Sequence, residues 1–365
     1  MSKIKVKIQR KIWKLNKFLF SILFILKSYF RSYSAPIFGR SVYVNLANAQ
    51  YYQRYYYIYV KYFLIEGYTV FLKNDLIRIY DLSIDTDSSF IFQENNVYWG
   101  VKKKIKCLEF NDLNISPDYF NFLKNRINDS SEYYIPIGQH PYAYFKGYWN
   151  DQVDLGNNRN HSLFFAGNFN SHVYDRVENK RLFNVFTRLD IKEYLKSKEF
   201  YLNFKSQIEV ENLLNSNIEN KVILVERQGG NGIAPEKMRL FLSYFDFFFA
   251  LPGYKMPLCH NIVEAMSVGT IPFLEEGYAK VMRPALISGV NCITFHDFND
   301  LDLKIYYLFS LSKEEVNSIR INVLKYYEEN LTPRAIVERL TSKKYSSFKL
   351  MSVGKSVKYL MNEKE

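Results

Sequence analysis

The pattern that most narrows the fold of this chain is a unit that recurs along it. A short apolar run leads into a polar or glycine-bearing loop, and a stretch of helical length follows. SVYVNL (41–46) meets a polar loop at Ala47–Gln50, and the tract from Tyr51 to Gly67 then has helical length, with Gly67 placed as its cap. TVFLKN (69–74) is the next strand, so strand, helix and strand fit the size of one βαβ unit. KKIKCLEF (103–110) and EYYIPIG (132–138) are further strand candidates, whereas 75–100 and 111–130 show no clear pattern. A second series follows, with strands at SLFFAGNFN (162–170), KVILVERQGGN (221–231), FDFFFAL (245–251), TIPFLE (270–275) and GVNCITF (289–295). Helices are expected around Pro235–Ser243, His260–Val268, Ser312–Glu329 and Thr332–Leu340. Two such series predict an α/β protein with two doubly wound domains. Ligands then belong outside the carboxyl ends of the strands.

The 365 residues are more than one core usually serves, which agrees with two domains. The polar, turn-rich stretch KGYWNDQVDLGNNRNH (146–161) reads as the linker. The expected division is an N-terminal segment 1–35, a first domain 36–150, a second domain 151–340 and a C-terminal tail 341–365. Charge is distributed unevenly. Residues 1–31 hold nine basic side chains and no acid, and the rest of the chain sets 40 basic residues against 37 acidic ones. Nine of the twelve net positive charges therefore belong to one segment, the rest of the chain is nearly neutral, and a nucleic-acid-binding fold loses its main support. Within that segment the unbroken apolar stretch, Phe18 to Leu26, is too short to span a bilayer. No small-residue cleavage site follows it. Lysines spaced among Ile4, Val6, Ile8, Ile12, Trp13 and Leu15 fit a basic amphipathic helix lying on an anionic membrane surface, the alternative being a solvated basic helix or a disordered tail. Cys107, Cys259 and Cys292 are far apart, which excludes a disulfide framework and fits a reducing compartment.

The most informative stretch runs from Phe248 to Phe295. A buried strand enters Pro252-Gly253, and a helix is expected from near Pro257. The free amides of that helix start would make an anion site. His260, Asn261 and Glu264 share one edge of the helix, at i, i+1 and i+4. A carboxylate one turn behind a phosphate-binding helix start suits a nucleotide, with Glu264 accepting from ribose hydroxyls. Taken alone, Glu264 fits equally well as a surface acid favoured by the helix dipole.

The whole segment resembles the donor-binding half of GT-B glycosyltransferases, most nearly the exostosin-like group and its bacterial polysaccharide-synthesis relatives. The resemblance rests on Pro252-Gly253, on His260-Asn261-x-Val263-Glu264-Ala265-Met266-x-x-Gly269-x-x-Pro272 and on Gly289-Val290-Asn291. It implies two Rossmann-like doubly wound domains facing a cleft, a nucleotide-sugar donor held by the second domain, and Glu264 on the ribose. The exostosin group often carries an arginine where His260-Asn261 stands here. Gly167 and Asn168 would lie near the diphosphate, with Arg176 behind them and Arg227 before Gly229-Gly230-Asn231-Gly232 as cations that could pair with phosphate. Gly253 completes this expected donor set.

For the catalytic base, His140 in GQHPYAYFKG follows a strand and should stand on the acceptor side; it fits equally as a histidine packed at a hinge. Glu66 and Asp75 rank below it. Asp85-Thr86-Asp87 matches the DxD of metal-dependent glycosyltransferases, but that signature belongs to another fold, and no metal or other cofactor is expected. The expected reaction is transfer of a sugar to a glycan or lipid-linked glycan acceptor in bacterial surface polysaccharide (capsule or lipopolysaccharide) synthesis. The expected place is the cytoplasmic, inner face of the membrane. A nucleotide-sugar epimerase and a non-catalytic, membrane-docked subunit of a synthesis complex are the competing readings.

Overall fold

The computed structural model describes residues 3–33, 39–100, 107–124, 129–155, 159–174, 177–214, 218–227 and 232–361. The chain forms two compact α/β units, one from Met1–Ile135 with Pro333–Tyr359 and the other from Pro136–Thr332 with Leu360–Glu365. The boundary expected at 150/151 thus falls inside the second unit.

In the first unit, β1 (Ser41–Asn45), β2 (Thr69–Leu72), β3 (Val97–Trp99) and β4 (Leu108–Asn111) form a parallel sheet of order β3-β2-β1-β4. The tyrosine-rich tract after β1 becomes the helix Arg54–Ile65, and Tyr56, Tyr57, Tyr59, Tyr62 and Phe63 are buried on it. Its abundance of aromatic residues is therefore a matter of core packing. Gly67 ends this helix at φ +76°, where its amide reaches Leu64 and that of Tyr68 reaches Phe63. The unpatterned stretch 75–100 contains the helix Leu76–Ile84, a 3₁₀ turn at Ser88–Gln93 and β3. Of the strand expected at 103–110, only β4 lies in the described residues.

The expected C-terminal tail, as far as Tyr359, is part of this unit. β13 (Ser347–Lys349) lies between β5 (Ile115–Ser116) and β6 (Glu132–Tyr134) in a small parallel sheet, and a helix follows at Val353–Met361. The ladder is reinforced by charge. Lys349 is buried, and its Nζ stands 3.0 Å from both Asp118 and Glu132. Burial disfavours the ammonium, but hydrogen bonds to Glu132 and Asp118 outweigh it and raise its pKa above the usual lysine value.

In the second unit six strands form one parallel sheet, β12-β11-β10-β7-β9-β8. They are β7 (Asn160–Gly167), β8 (Tyr201–Phe204), β9 (Val222–Glu226), β10 (Phe245–Phe249), β11 (Ile271–Glu275) and β12 (Ile293–Phe295). Every residue of β9, β10 and β11 is buried, as a sheet covered by helices on both faces requires. Phe164 of β7 stacks on Phe245 of β10 at 4.5 Å. The chain leaves β7 toward β8 and β9, then returns to place β10 on β7's other side. That reversal puts the topological switch point between β7 and β10.

Deleting the Lys349 side chain leaves two carboxylates facing each other without a cation. Lys349→Ala should lower stability by about 2–4 kcal/mol, less than for a fully sealed pair because Asp118 keeps contact with water. A urea melt checks this; a change under about 1 kcal/mol would mean that β13 is held by its ladder alone.

Candidate functional site at the switch point

Two loops leave the sheet at the switch point, one after β7 and one after β10, and each needs its glycine. A Cβ on Gly167 would meet the Phe165 ring at 2.6 Å. One on Gly253 would meet the carbonyls of Met256 and Leu258 at 2.8 and 3.0 Å. The Gly253 amide closes its loop by donating to the Pro257 carbonyl at 2.9 Å. Asn168 turns the first loop with its side-chain oxygen, which accepts from the Asn170 amide at 2.8 Å.

Both loops are held by a residue the sequence did not reveal. Arg188 is buried, and its guanidinium donates to the Pro252 carbonyl at 2.5 Å, to the Asn168 carbonyl at 3.1 Å and to Cys259 Sγ at 3.5 Å. It lies over the rings of Phe165 and Tyr174, at 5.0 and 4.2 Å from their centres. One cation thus ties the β7 loop, the β10 loop and the helix start together. Thr187 caps the helix Arg188–Leu195 in a capping box with Asp190. The preceding turn hangs on Glu275 at the end of β11, whose oxygens accept from the Phe186 amide at 2.8 and 3.0 Å. Burial pushes the Glu275 carboxyl up to about 8.

The helix after the β10 loop is His260–Met266, shorter than expected and starting later, with Cys259 as its N-cap. Two turns carry only a small macrodipole, and the Cys259 amide is already taken by the Tyr278 hydroxyl at 2.9 Å. Asn261 also has a different task from the expected one. Its Nδ2 donates to the Ala166 carbonyl at 3.1 Å and its Oδ1 accepts from Cys259 Sγ at 3.0 Å, so the amide stitches the helix to β7.

Glu264 is buried on the inward face of this helix. Its Oε1 accepts from His260 Nδ1 at 3.0 Å and from the His140 amide at 3.1 Å, whereas Oε2 has no hydrogen-bond partner among the described residues. Burial alone would raise this carboxyl, but His260 beside it and these two hydrogen bonds hold it below the ordinary range. A fixed carboxylate with one committed oxygen and one open oxygen is a preorganised acceptor for hydroxyl groups.

His140 belongs to this cluster and to the second unit, not to the first domain where the linker reading had placed it. Its ring stands edge-on to His260, with centroids 4.9 Å apart. Neighbouring contacts weld the segment in place: Gln139 Nε2 donates to the Trp149 carbonyl and the Tyr327 hydroxyl, both at 3.2 Å, and Arg239 bonds the carbonyls of Tyr148 and Asp151. As N-cap of the helix Pro141–Lys146, His140 accepts the Tyr142 amide on Nδ1 at 3.2 Å. In the neutral ring the proton then sits on Nε2.

Arg227 follows β9, and its amide bonds the Gly167 carbonyl at 2.9 Å. Its guanidinium is exposed and has no partner among the described residues. Arg176 and Gly229-Gly230-Asn231 lie outside the described residues. In the first unit, Asp85 bonds the Ser88 amide and hydroxyl, and Asp87 pairs with Arg54 at 3.1 Å. The DxD-like triplet is thus spent on local structure. Asp75 caps the helix Leu76–Ile84, and Glu66 ends the helix Arg54–Ile65. Among the described residues no group of three or more His, Cys, Asp or Glu is placed to hold a metal ion.

No protein-family model matches the sequence, and no curated protein matches it either. Solved structures similar to the chain include an alpha-glucosyltransferase (AGT) in complex with UDP. It is 10% identical, with 83% of this chain and 98% of that one covered and a TM-score of 0.40. HepE of Anabaena in complex with UDP is 12% identical over 83% and 98%, with a TM-score of 0.36. The N-terminal domain of the trehalose-6-phosphate phosphatase of Candida albicans is 11% identical over 83% and 70%, at 0.29.

The clamp by Arg188 depends on the fork of its guanidinium, which a lysine cannot reproduce. Arg188→Ala should cost about 2–4 kcal/mol, the scale of hydrogen bonds made by a charged group, and Arg188→Lys should recover less than half of it. Urea denaturation measures both; a lysine variant as stable as the parent would contradict the three-way attachment.

Proposed function

We propose that this chain is a GT-B-type glycosyltransferase that takes a sugar from a nucleotide donor bound at the switch point of the second unit. The observation that carries the reading is the Glu264 carboxylate. It is held ionised by His260 and the His140 amide, with one oxygen uncommitted, in the segment that resembles the donor half of such enzymes. In this reading Oε2 of Glu264 accepts from the ribose hydroxyls. The diphosphate lies toward the Gly167–Asn168 loop and the Arg227 guanidinium.

Catalysis of this kind is mainly stabilisation of the leaving diphosphate by groups already in place. With so short a helix behind the β10 loop, the cations do more of that work than the helix amides. Arg227 supplies charge that it shares with no other described residue, and Arg176 remains a candidate beside it. His140 supplies a neutral N–H from Nε2 to an oxygen of the sugar or the diphosphate. The base that takes the proton of the acceptor hydroxyl is then another group. No metal or other cofactor enters the proposal.

The acceptor is a glycan or lipid-linked glycan of a bacterial surface polysaccharide, capsule or lipopolysaccharide, taken by the first unit. Supporting this is the basic N-terminal segment, which suits the inner face of the cytoplasmic membrane where lipid-linked glycans are extended. No helix among the described residues is long and apolar enough to cross a membrane.

Incubation with UDP-, GDP-, CMP- and dTDP-sugars and a glycan acceptor, with release of free nucleotide followed, decides among the readings. Acceptor-dependent release supports transfer. Conversion of the sugar without release points to an epimerase, and neither turnover nor binding points to a non-catalytic subunit. Glu264→Gln keeps an acceptor for the His140 amide and removes the charge. It should weaken binding of the productive nucleotide by about 1–3 kcal/mol. Unchanged affinity in a calorimetric titration would remove Glu264 from the donor site.

A further inference from the structure

The helix Lys3–Tyr33 presents two different faces, only one of which the protein covers. On the covered face Ser21 and Ser28 are buried, and Phe24 packs on Phe92 and Trp99 with ring centres 4.9 and 5.5 Å apart. Phe20 reaches Phe92 at 5.4 Å beside them. On the opposite face Ile8, Ile12, Leu15, Leu19, Leu23 and Leu26 are between 49% and 61% exposed. Their spacing of three or four residues sets them in one line along the helix, about 27 Å from end to end at 1.5 Å per residue. Every residue from Lys7 to Asn16 is exposed, so this stretch buries little against the body of the protein. A helix of that length with little packing is marginal in water.

What covers the stripe is settled by charge. The segment 1–31 carries nine cations and no acid, seven of them from Lys3 to Lys17, so a second copy of the same helix lying alongside in register would set like charge against like through that basic half. A surface dense in anionic headgroups over an apolar interior complements both features. It attracts the basic side chains and takes up the stripe, while lysine stems reach back to the headgroups.

We infer that this helix is an in-plane membrane anchor gripped on opposite sides. Phe20, Ser21, Phe24 and Ser28 fix it to the first unit, and the stripe from Ile8 to Leu26 enters the lipid. The inference rests on the membrane placement proposed above and adds an orientation to it. The helix is no loose tether, because the residues that hold it to Phe92 and Trp99 also fix which side of the first unit faces the bilayer. Trp13 stands apart from the stripe by its helical angle, so the deepest groups are aliphatic.

The test uses the full-length protein with dansylalanine placed at Leu15, Leu19 or Leu23, and at Arg10 or Lys14 as controls from the other side. The vesicles contain equal parts of phosphatidylglycerol and phosphatidylcholine. The stripe positions should shift to the blue on binding and be quenched by brominated acyl chains, and the controls should do neither. Leu19→Gln with Leu23→Gln should weaken binding about tenfold or more while leaving the thermal melt unchanged, since both side chains are exposed. Binding without contrast between the two sets overturns the orientation and leaves the membrane placement standing. A parent protein that does not bind these vesicles even at low salt overturns both.

Discussion

The switch point of the second unit depends on one buried cation. A parallel sheet brings the ends of β7 and β10 together, but it does not determine the paths of the loops that leave them. Those loops turn away from the sheet and leave carbonyls without ladder partners. Arg188 satisfies the carbonyls of Pro252 and Asn168 from below, and two aromatic faces help to offset the cost of burying its charge. Asn179 and Asn261 extend the same solution, donating to the Gly253 and Ala166 carbonyls. The loops are thereby fixed by the protein alone, which is what the proposed stabilisation of a leaving diphosphate would require.

Beside this frame Glu264 and two histidines form one hydrogen-bonded cluster. The carboxylate orders both of them: His260 through its ring nitrogen, His140 through its main chain. Burial alone would raise its pKa, but His260 and the His140 amide hold it below the ordinary carboxylate range. The tautomer of His140 follows from a helix cap, since the Tyr142 amide occupies Nδ1. A backbone hydrogen bond thus engages one ring nitrogen of the residue expected to be the base, a local constraint that its spacing in the sequence does not disclose.

Much of this architecture is legible in the sequence, and the exceptions have physical causes. The apolar strands SLFFAG, KVILVE, FDFFF and TIPFLE are found where the pattern places them, because strands buried on both faces leave a continuous apolar signal. The positions of Gly167 at a strand end and of Glu264 in the helix after the β10 loop were legible for a similar reason. Arg188 was not, because a buried arginine and a surface arginine look alike until the packing is known; the capping box at Thr187–Asp190 was the only local hint. The strand Tyr201–Phe204 is half-exposed at the sheet edge, and the helix Phe298–Ser310 lay in a stretch the pattern left unassigned. β13 is three residues long and is recognisable only through partners more than 200 residues away. His140 was assigned to the wrong unit because turn-rich composition at 146–161 suggested a linker, whereas Gln139 and Arg239 anchor that stretch to the second unit.

The central claim is that the loops after β7 and β10, with Glu264 behind them, form the donor site. Amide hydrogen exchange with and without the diphosphate of each common nucleoside tests it most directly. The account predicts that one nucleotide slows exchange in 166–170 and 252–266 while leaving β12 and the helix Lys313–Asn330 unchanged. Protection that appears elsewhere in the second unit, with 166–170 and 252–266 unaffected by a nucleotide that does bind, would contradict it.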